Sequence, residues 1–177
     1  FMFFVGLSAG GLIISSVPKA FGLRGFGGIS KVAVMTSIAA PCAAIGLVVV
    51  DLGTTTNFEV VDEGGSFVGG IIAPGVKLSA KALSDAAAQL AMVDLKAPAS
   101  VVGKNTREAM QAGVVMGEVA LIDGLIDMVW RELGYETDVI ATGSDAAAIA
   151  ALSQRVARTD EHLTLRGLSM LHTLNRR

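Results

Sequence analysis

The sequence predicts an α/β domain over residues 45–177, preceded by an apolar helical hairpin over residues 1–44. Three observations carry this reading. Residues 1–50 contain no Asp or Glu and only three cations, Lys19, Arg24 and Lys31, whereas all 16 acidic residues lie from Asp51 onward. Two uncharged runs, residues 1–18 and 32–50, flank a Gly-rich connector that carries those cations. From residue 45 onward, apolar and alternating runs give way to runs with helical period in the order βββαα(β)α, the pattern of an α/β domain.

Composition sets the outer limits. The chain has 177 residues, 52% of them hydrophobic and 17% charged, which suits one domain of ordinary size and excludes a disordered chain. A single cysteine, Cys42, excludes a disulfide framework or a CxxC metal site within the chain. The net charge of −2 provides no electrostatic basis for binding nucleic acid.

In chain order, each uncharged run near the start is long enough to cross a hydrocarbon core of ~30 Å as a helix. Two such runs around a short basic loop read as a transmembrane hairpin with the loop on the cytoplasmic side, giving membrane contact through residues 1–44. Gly6, Gly10 and Gly11 with Ser8, Ser15 and Ser16 give the first run a small-residue face suited to close packing in lipid. No basic region precedes that run, which argues against a signal peptide. The second run has another reading. Pro41 interrupts it, and residues 45–50 are β-branched enough for a buried strand. The two readings exclude each other, because a helix over residues 32–50 would leave nothing to pair in the sheet. In water the strand satisfies its N–H and C=O groups only in a sheet, so the strand is expected there, with any helix ending near Ala43 or Ala44.

Residues 45–51 form a nearly continuous apolar run, as in a strand buried on both faces. Residues 54–61 alternate, and Asp62-Glu63-Gly64-Gly65 reverses the chain into a third strand over residues 67–72. A helix follows over residues 76–92. A second helix starts near Asn105, where Asn105 and Glu108 have N-cap and N3 spacing, and runs to about residue 133. It carries two apolar stripes: Met110, Val114, Gly117, Leu121, Leu125 and Met128, and Val119, Ile122, Ile126 and Val129. Two stripes predict burial on two sides, against the domain and a partner. Gly113 and Gly117 have the spacing of close helix packing. Residues 137–142 read as a strand and 144–152 as a helix. His162 and His172 lie ten residues apart in a charged tail, as solvated surface groups. Trp130 and Tyr135 read as packing aromatics near a helix end.

The segment FVGLSAGGLIISS, followed by KVAVMTSIAAPCAAIGLVVVDLG, resembles the start of the polysulfide-reductase-like (NrfD-like) membrane subunits, multi-span quinone-interacting anchors of respiratory oxidoreductases. This resemblance covers about the first 53 residues. It implies an inner-membrane location and, as an alternative function, an anchor fused to a non-catalytic nucleotide-binding module. No acidic or His residue precedes Asp51 to relay quinone protons.

Four further motifs, DLGTTTNFEVVD, GGIIAPG, GKNTREAMQAG and VIATGSDA, resemble in order and spacing the C-terminal half of type III pantothenate kinases, over residues 45–175. The resemblance implies half of a domain of the actin, Hsp70, acetate kinase and sugar kinase superfamily. It implies ATP-dependent phosphorylation of pantothenate in cytoplasmic coenzyme A synthesis, by a homodimer using ATP, Mg2+ and a monovalent cation (K+ or NH4+).

Asp51 ends a buried strand and leads into Gly53 and Thr54. A carboxylate there can hold a cation beside a phosphate, and a glycine lets backbone N–H groups approach an anion; the plainer reading is an Asp capping a turn. The resemblance makes Asp51 the monovalent-cation ligand and Thr54 an ATP-contacting hydroxyl. Glu59 stands where that family usually has Asp. Gly69 and Gly70, with Pro74 and Gly75, suit a tight strand-to-helix turn or a close backbone approach to a nucleotide. Thr106, at a helix N-terminus, either assists capping or holds a polar substrate group; the resemblance makes it a pantothenate contact. Gly143 resembles the adenine-side loop. The family's D-x-G-N-T phosphate loop has no counterpart in these residues. Its G-x-D-R base motif falls on Gly28-Ile29-Ser30-Lys31, where Ser30 cannot act as a carboxylate base. The sequence therefore assigns no catalytic residue, and the resemblance implies an incomplete, inactive copy of the kinase.

Overall fold

The computed structural model describes residues 45–86 and 94–174. The predicted apolar hairpin over residues 1–44, with its membrane contact and the expected helix end near Ala43 or Ala44, lies outside the described residues. Among the described residues no helix is long and apolar enough to cross a membrane.

A mixed five-stranded sheet has the order β3-β2-β1-β4-β5. Strands β1 (Leu47–Leu52), β2 (Thr55–Val61) and β3 (Phe67–Pro74) are antiparallel neighbours. Strands β4 (Asp138–Thr142) and β5 (Arg158–Thr159) continue the sheet in parallel with β1. The segment expected either as strand or as the end of a membrane helix is thus the central strand. The turn after β2 closes at Asp62, whose side chain accepts the Ser66 N–H at 2.8 Å.

Five α-helical segments occur among the described residues: α1 (Val76–Ala86), α2 (Thr106–Gln111), α3 (Gly117–Leu133), α4 (Ala146–Ala150) and α5 (Leu163–Leu174). The extension of α1 toward Met92 lies outside the described residues. The helix predicted from Asn105 to residue 133 is present as α2 and α3, joined by a π-helical turn, Ala112–Met116. Asn105 caps it by accepting the Glu108 N–H at 3.0 Å. Glu108 reaches back to the Lys104 N–H at 2.8 Å, a capping box displaced by one residue. Gly134 ends the helix in the left-handed region at φ 84.

Within the single chain the two apolar stripes are buried unequally, with Leu121 and Leu125 of the first only partly buried against the core. Met110 and Val114 are buried before and within the π turn, and Val114 packs on Val76 and Ala80 of α1. The wider turn then brings Val115, Val119, Ile122, Ile126 and Val129 onto the sheet. Gly117 and Met128, at the far side, are exposed, Met128 by 56%. A Cβ at Gly113 or Gly117 would meet nothing within 4 Å. The glycine pair therefore packs against no described residue.

One face of the sheet, Val48, Val50, Leu52, Phe58, Val60, Val139 and Ala141, packs on α3 and α4. The other, Leu47, Val49, Val61 and Ile140, meets Leu163 of α5. Both β5 and α5 are additions to the order expected from sequence. Trp130 donates its indole N–H to Thr137 Oγ1 at 3.0 Å and carries the Arg155 guanidinium 5.4 Å from its ring centre. The Tyr135 hydroxyl accepts the Glu63 N–H. His162 and His172 are both exposed.

Candidate functional site

The parallel strands β1 and β4 end side by side, with Asp51 opposite Thr142. Carboxyl ends of parallel strands are where open α/β sheets place their ligands. Two chain segments converge there on the two-residue turn Gly53-Thr54 between β1 and β2 and on the Leu52 carbonyl just before it.

From one side comes the start of α1. Gly75 donates its N–H to the Thr54 carbonyl at 3.2 Å, and a Cβ at Gly75 would lie 2.5 Å from the Gly53 carbonyl oxygen. From the other side comes the end of β4. Gly143, at φ +99, lies so close that a Cβ would sit 2.4 Å from the Leu52 carbonyl oxygen and 2.7 Å from Asp51 Oδ1. Only glycine combines that dihedral with that clearance. Asp145 then donates its N–H to the Leu52 carbonyl at 3.2 Å.

Thr54 is exposed at the turn. The Gly53 N–H is occupied within the turn, bonded to the Thr55 carbonyl at 3.2 Å. Gly69 and Gly70 do not form the strand-to-helix turn expected of them; Gly75 does. They lie within β3, opposite Val60 and Glu59, where the register shifts by a bulge between Val60 and Val61. A Cβ at Gly70 would lie 2.4 Å from the Phe58 carbonyl oxygen, so this glycine serves strand packing. Thr106 is the exposed first residue of α2.

The electrostatics are acidic on both faces of the sheet. On one face Asp51 pairs in register with Asn57, and Glu59 stands two residues further along β2. Burial pushes the Asp51 carboxyl up to about 6. Burial, and then the charge of Asp51, push Glu59 up to about 7. On the other face Glu118 is buried in α3 and accepts the Thr56 hydroxyl at 2.5 Å. Burial raises its carboxyl, the Thr56 bond opposes the shift, and the nearby charge of Asp145 adds to it. Asp145 pairs with Lys77 at 2.6 Å.

Glu59, Glu118, Lys77 and Asp145 were not singled out as site residues by sequence. Glu118 carried a legible signal, a lone acid inside the apolar stretch GVVMGEVALI. Asp145 and Lys77 are 68 residues apart, and only the fold pairs them.

Other proteins share this fold. Among solved structures, the fold is shared with a Campylobacter jejuni protein described as a Baf family transcriptional activator, with a TM-score of 0.55, 24% identity, and coverage of 87% of this chain and 67% of that one. It is also shared with the Alp12 filament structure, with a TM-score of 0.52, 12% identity, and coverage of 83% and 53%. The class is thus a mixed α/β domain with a glycine-lined turn at the carboxyl ends of its parallel strands. The family model of type III pantothenate kinases matches residues 31–128, and this chain belongs to that family. The match begins ahead of β1, at Lys31, and takes in the second apolar run.

The type III pantothenate kinase of Anaeromyxobacter sp. (strain Fw109-5) is 47% identical over 131 residues, covering 74% of this chain and 52% of that protein. That of Rhodospirillum rubrum is 46% identical over 129 residues, covering 73% and 50%. The chain spans about half the length of the curated relatives it matches. The resemblance of the first 53 residues to polysulfide-reductase-like subunits gains no support from these comparisons.

Proposed function

We propose that this chain supplies the C-terminal, cation- and nucleotide-holding half of an ATP-dependent pantothenate kinase of cytoplasmic coenzyme A synthesis. The observation that carries the reading is the convergence of α1, Gly143 and Asp145 on the Gly53-Thr54 turn beside Asp51, in a chain of this family. Residues 45–177 form the kinase-like domain, with the fold of the actin, Hsp70, acetate kinase and sugar kinase superfamily.

The donor chemistry fits hard cations. Asp51, Asn57 and Thr142 occupy one register position across three strands and present oxygen donors. No group of three or more His, Cys, Asp or Glu able to hold a metal occurs among the described residues. That set suits a singly charged ion, K+ or NH4+, held by Asp51, better than a dedicated divalent cage. Mg2+ would arrive on the nucleotide phosphates. Thr54 offers its exposed hydroxyl to ATP. Gly53 and Gly143 present backbone to the nucleotide, with Gly143 letting the end of β4 close on Leu52 and Asp51, and Gly69 and Gly70 lie on β3 beside Glu59. Thr106 presents a hydroxyl at a helix N-terminus to pantothenate. ATP, when bound, supplies the phosphoryl group; the residues of this chain bind, orient and neutralise charge.

Calorimetric titration of the 177-residue chain with ATP in KCl tests this reading. The expected result is binding that Asp51→Ala weakens about tenfold, the loss of one charge-assisted contact. Equal affinity in the two proteins would overturn it. These 177 residues contain neither D-x-G-N-T nor G-x-D-R, so no phosphorylation of pantothenate is expected from them alone. Turnover abolished by Asp51→Ala would contradict that expectation.

A further inference from the structure

We propose that Lys77 is a phosphate-binding residue of this site, held in reserve by Asp145 and exchanged from it when a polyphosphate enters. This deepens the nucleotide reading above and rests on it for the ligand's natural identity.

Both ends of the ion pair hang from the same turn. Lys77 is the second residue of α1, just beyond Gly75, whose N–H is bonded to the Thr54 carbonyl; Asp145 is tied by its own N–H to the Leu52 carbonyl. The 2.6 Å contact therefore bridges the two segments that flank Gly53-Thr54. The surrounding groups are acidic: Asp51 and Glu59 on one face, Glu118 and Asp145 on the other. A polyphosphate approaching them is repelled unless cations intervene. Lys77 is an ammonium the fold places at this turn, and its side chain is 59% exposed, within reach of a ligand. The Asp145 end of the pair is only 16% exposed, so the exchange requires a new partner for that carboxylate.

Asp145 is held in an incomplete arrangement. Its Oδ2 is buried and has no hydrogen-bond partner among the described residues. It occupies the N-cap position of α4, a place where Asp ordinarily accepts a backbone N–H, yet its side chain makes no cap bond. The carboxylate that holds Lys77 thus forgoes the role its position provides. When Lys77 turns to a phosphate, Asp145 can rotate to accept the N–H of Ala147 or Ala148. The exchange trades one ion pair for one cap and one ammonium–phosphate contact.

The test titrates the 177-residue chain with inorganic tripolyphosphate, without pantothenate, by calorimetry and by NMR of 13C-labelled lysine ε-carbons. Lys77→Met is expected to weaken binding about tenfold. Asp145→Asn, which can accept a cap N–H but grips Lys77 less, is expected to tighten it severalfold. The double variant should match Lys77→Met. The wild-type Lys77 signal should move saturably with ligand. If both single variants weaken binding, the pair is merely structural and the proposal falls. It falls equally if Lys77→Met binds like wild type, if the wild-type Lys77 signal does not move, or if the chain binds no tripolyphosphate. ATP binding indifferent to Asp51→Ala alongside these opposite shifts would sink the kinase reading and leave Lys77 as a phosphate residue.

Discussion

Glu59 and Asp51 lie diagonally on one face of β1 and β2, and burial holds both carboxyls protonated to higher pH in the folded chain than in the unfolded one. In the unfolded chain they ionise near their ordinary values of 4.5 and 3.8; in the folded chain near 7 and 6. Between those limits the folded state binds the extra proton, so their contribution to stability is fullest below about pH 4 and falls as pH rises to about 7. The urea midpoint of the wild type in potassium-free buffer should therefore drop relative to Glu59→Gln between pH 4.5 and 7.5. Parallel curves would refute the assignment. Glu118 differs, because it has the Thr56 hydroxyl as partner. Glu118→Ala leaves that buried hydroxyl unpaired and should destabilise the fold by about 1–3 kcal/mol, measured by chemical denaturation. Asp51 was legible from its strand-end position. The significance of Glu59 was not, because it depends on a diagonal neighbour in another strand.

At the scale of elements, local chemistry was the readable part. The strand pattern of residues 45–72, the Asp62 turn and the Asn105 cap all follow from short-range rules, and the structure places each where those rules predict. The π turn was not readable, since an added residue per turn leaves the apolar spacing intact while changing which stripe faces the sheet. Nor were β5 and α5, a two-residue strand and a helix in which Leu163 is buried. Another consequence of local geometry concerns Gly103. A Cβ there would lie 2.2 Å from the Ala109 N and 2.5 Å from the Glu108 carbonyl carbon, backbone atoms that cannot yield without moving α2. Gly103→Ala should cost about 1–3 kcal/mol and disturb the cap that sets Thr106. Unchanged thermal stability and an unchanged Asn105 amide resonance would show that the loop adjusts freely.

For the whole molecule, the long helix leaves Gly113, Gly117 and Met128 exposed on one side. The family resemblance implies a homodimer, and a surface of small residues lets two helices approach closely. A dimer or larger assembly is expected by light scattering at micromolar concentration, shifted toward monomer by Gly117→Arg. A monomeric wild type would count against it. This level was the least legible in sequence, because the two stripes suggested a buried partner face while only the three-dimensional register shows which residues remain open.

The central position of β1 governs how the domain comes apart. It is bonded to β2 on one side and β4 on the other, whereas β3 and β5 are the outer strands among the described residues. Amide hydrogens of Val48, Val49 and Val50 should thus be the last to exchange with deuterium, and only through global opening. The rims can loosen while that spine stays closed. Asp51 and the Gly53-Thr54 turn ride on the slowest-exchanging strand, whereas Gly69 and Gly70 belong to an edge that can breathe. The cation end of the site is thereby anchored to the most durable part of the chain, and adaptation to ligands falls to its periphery.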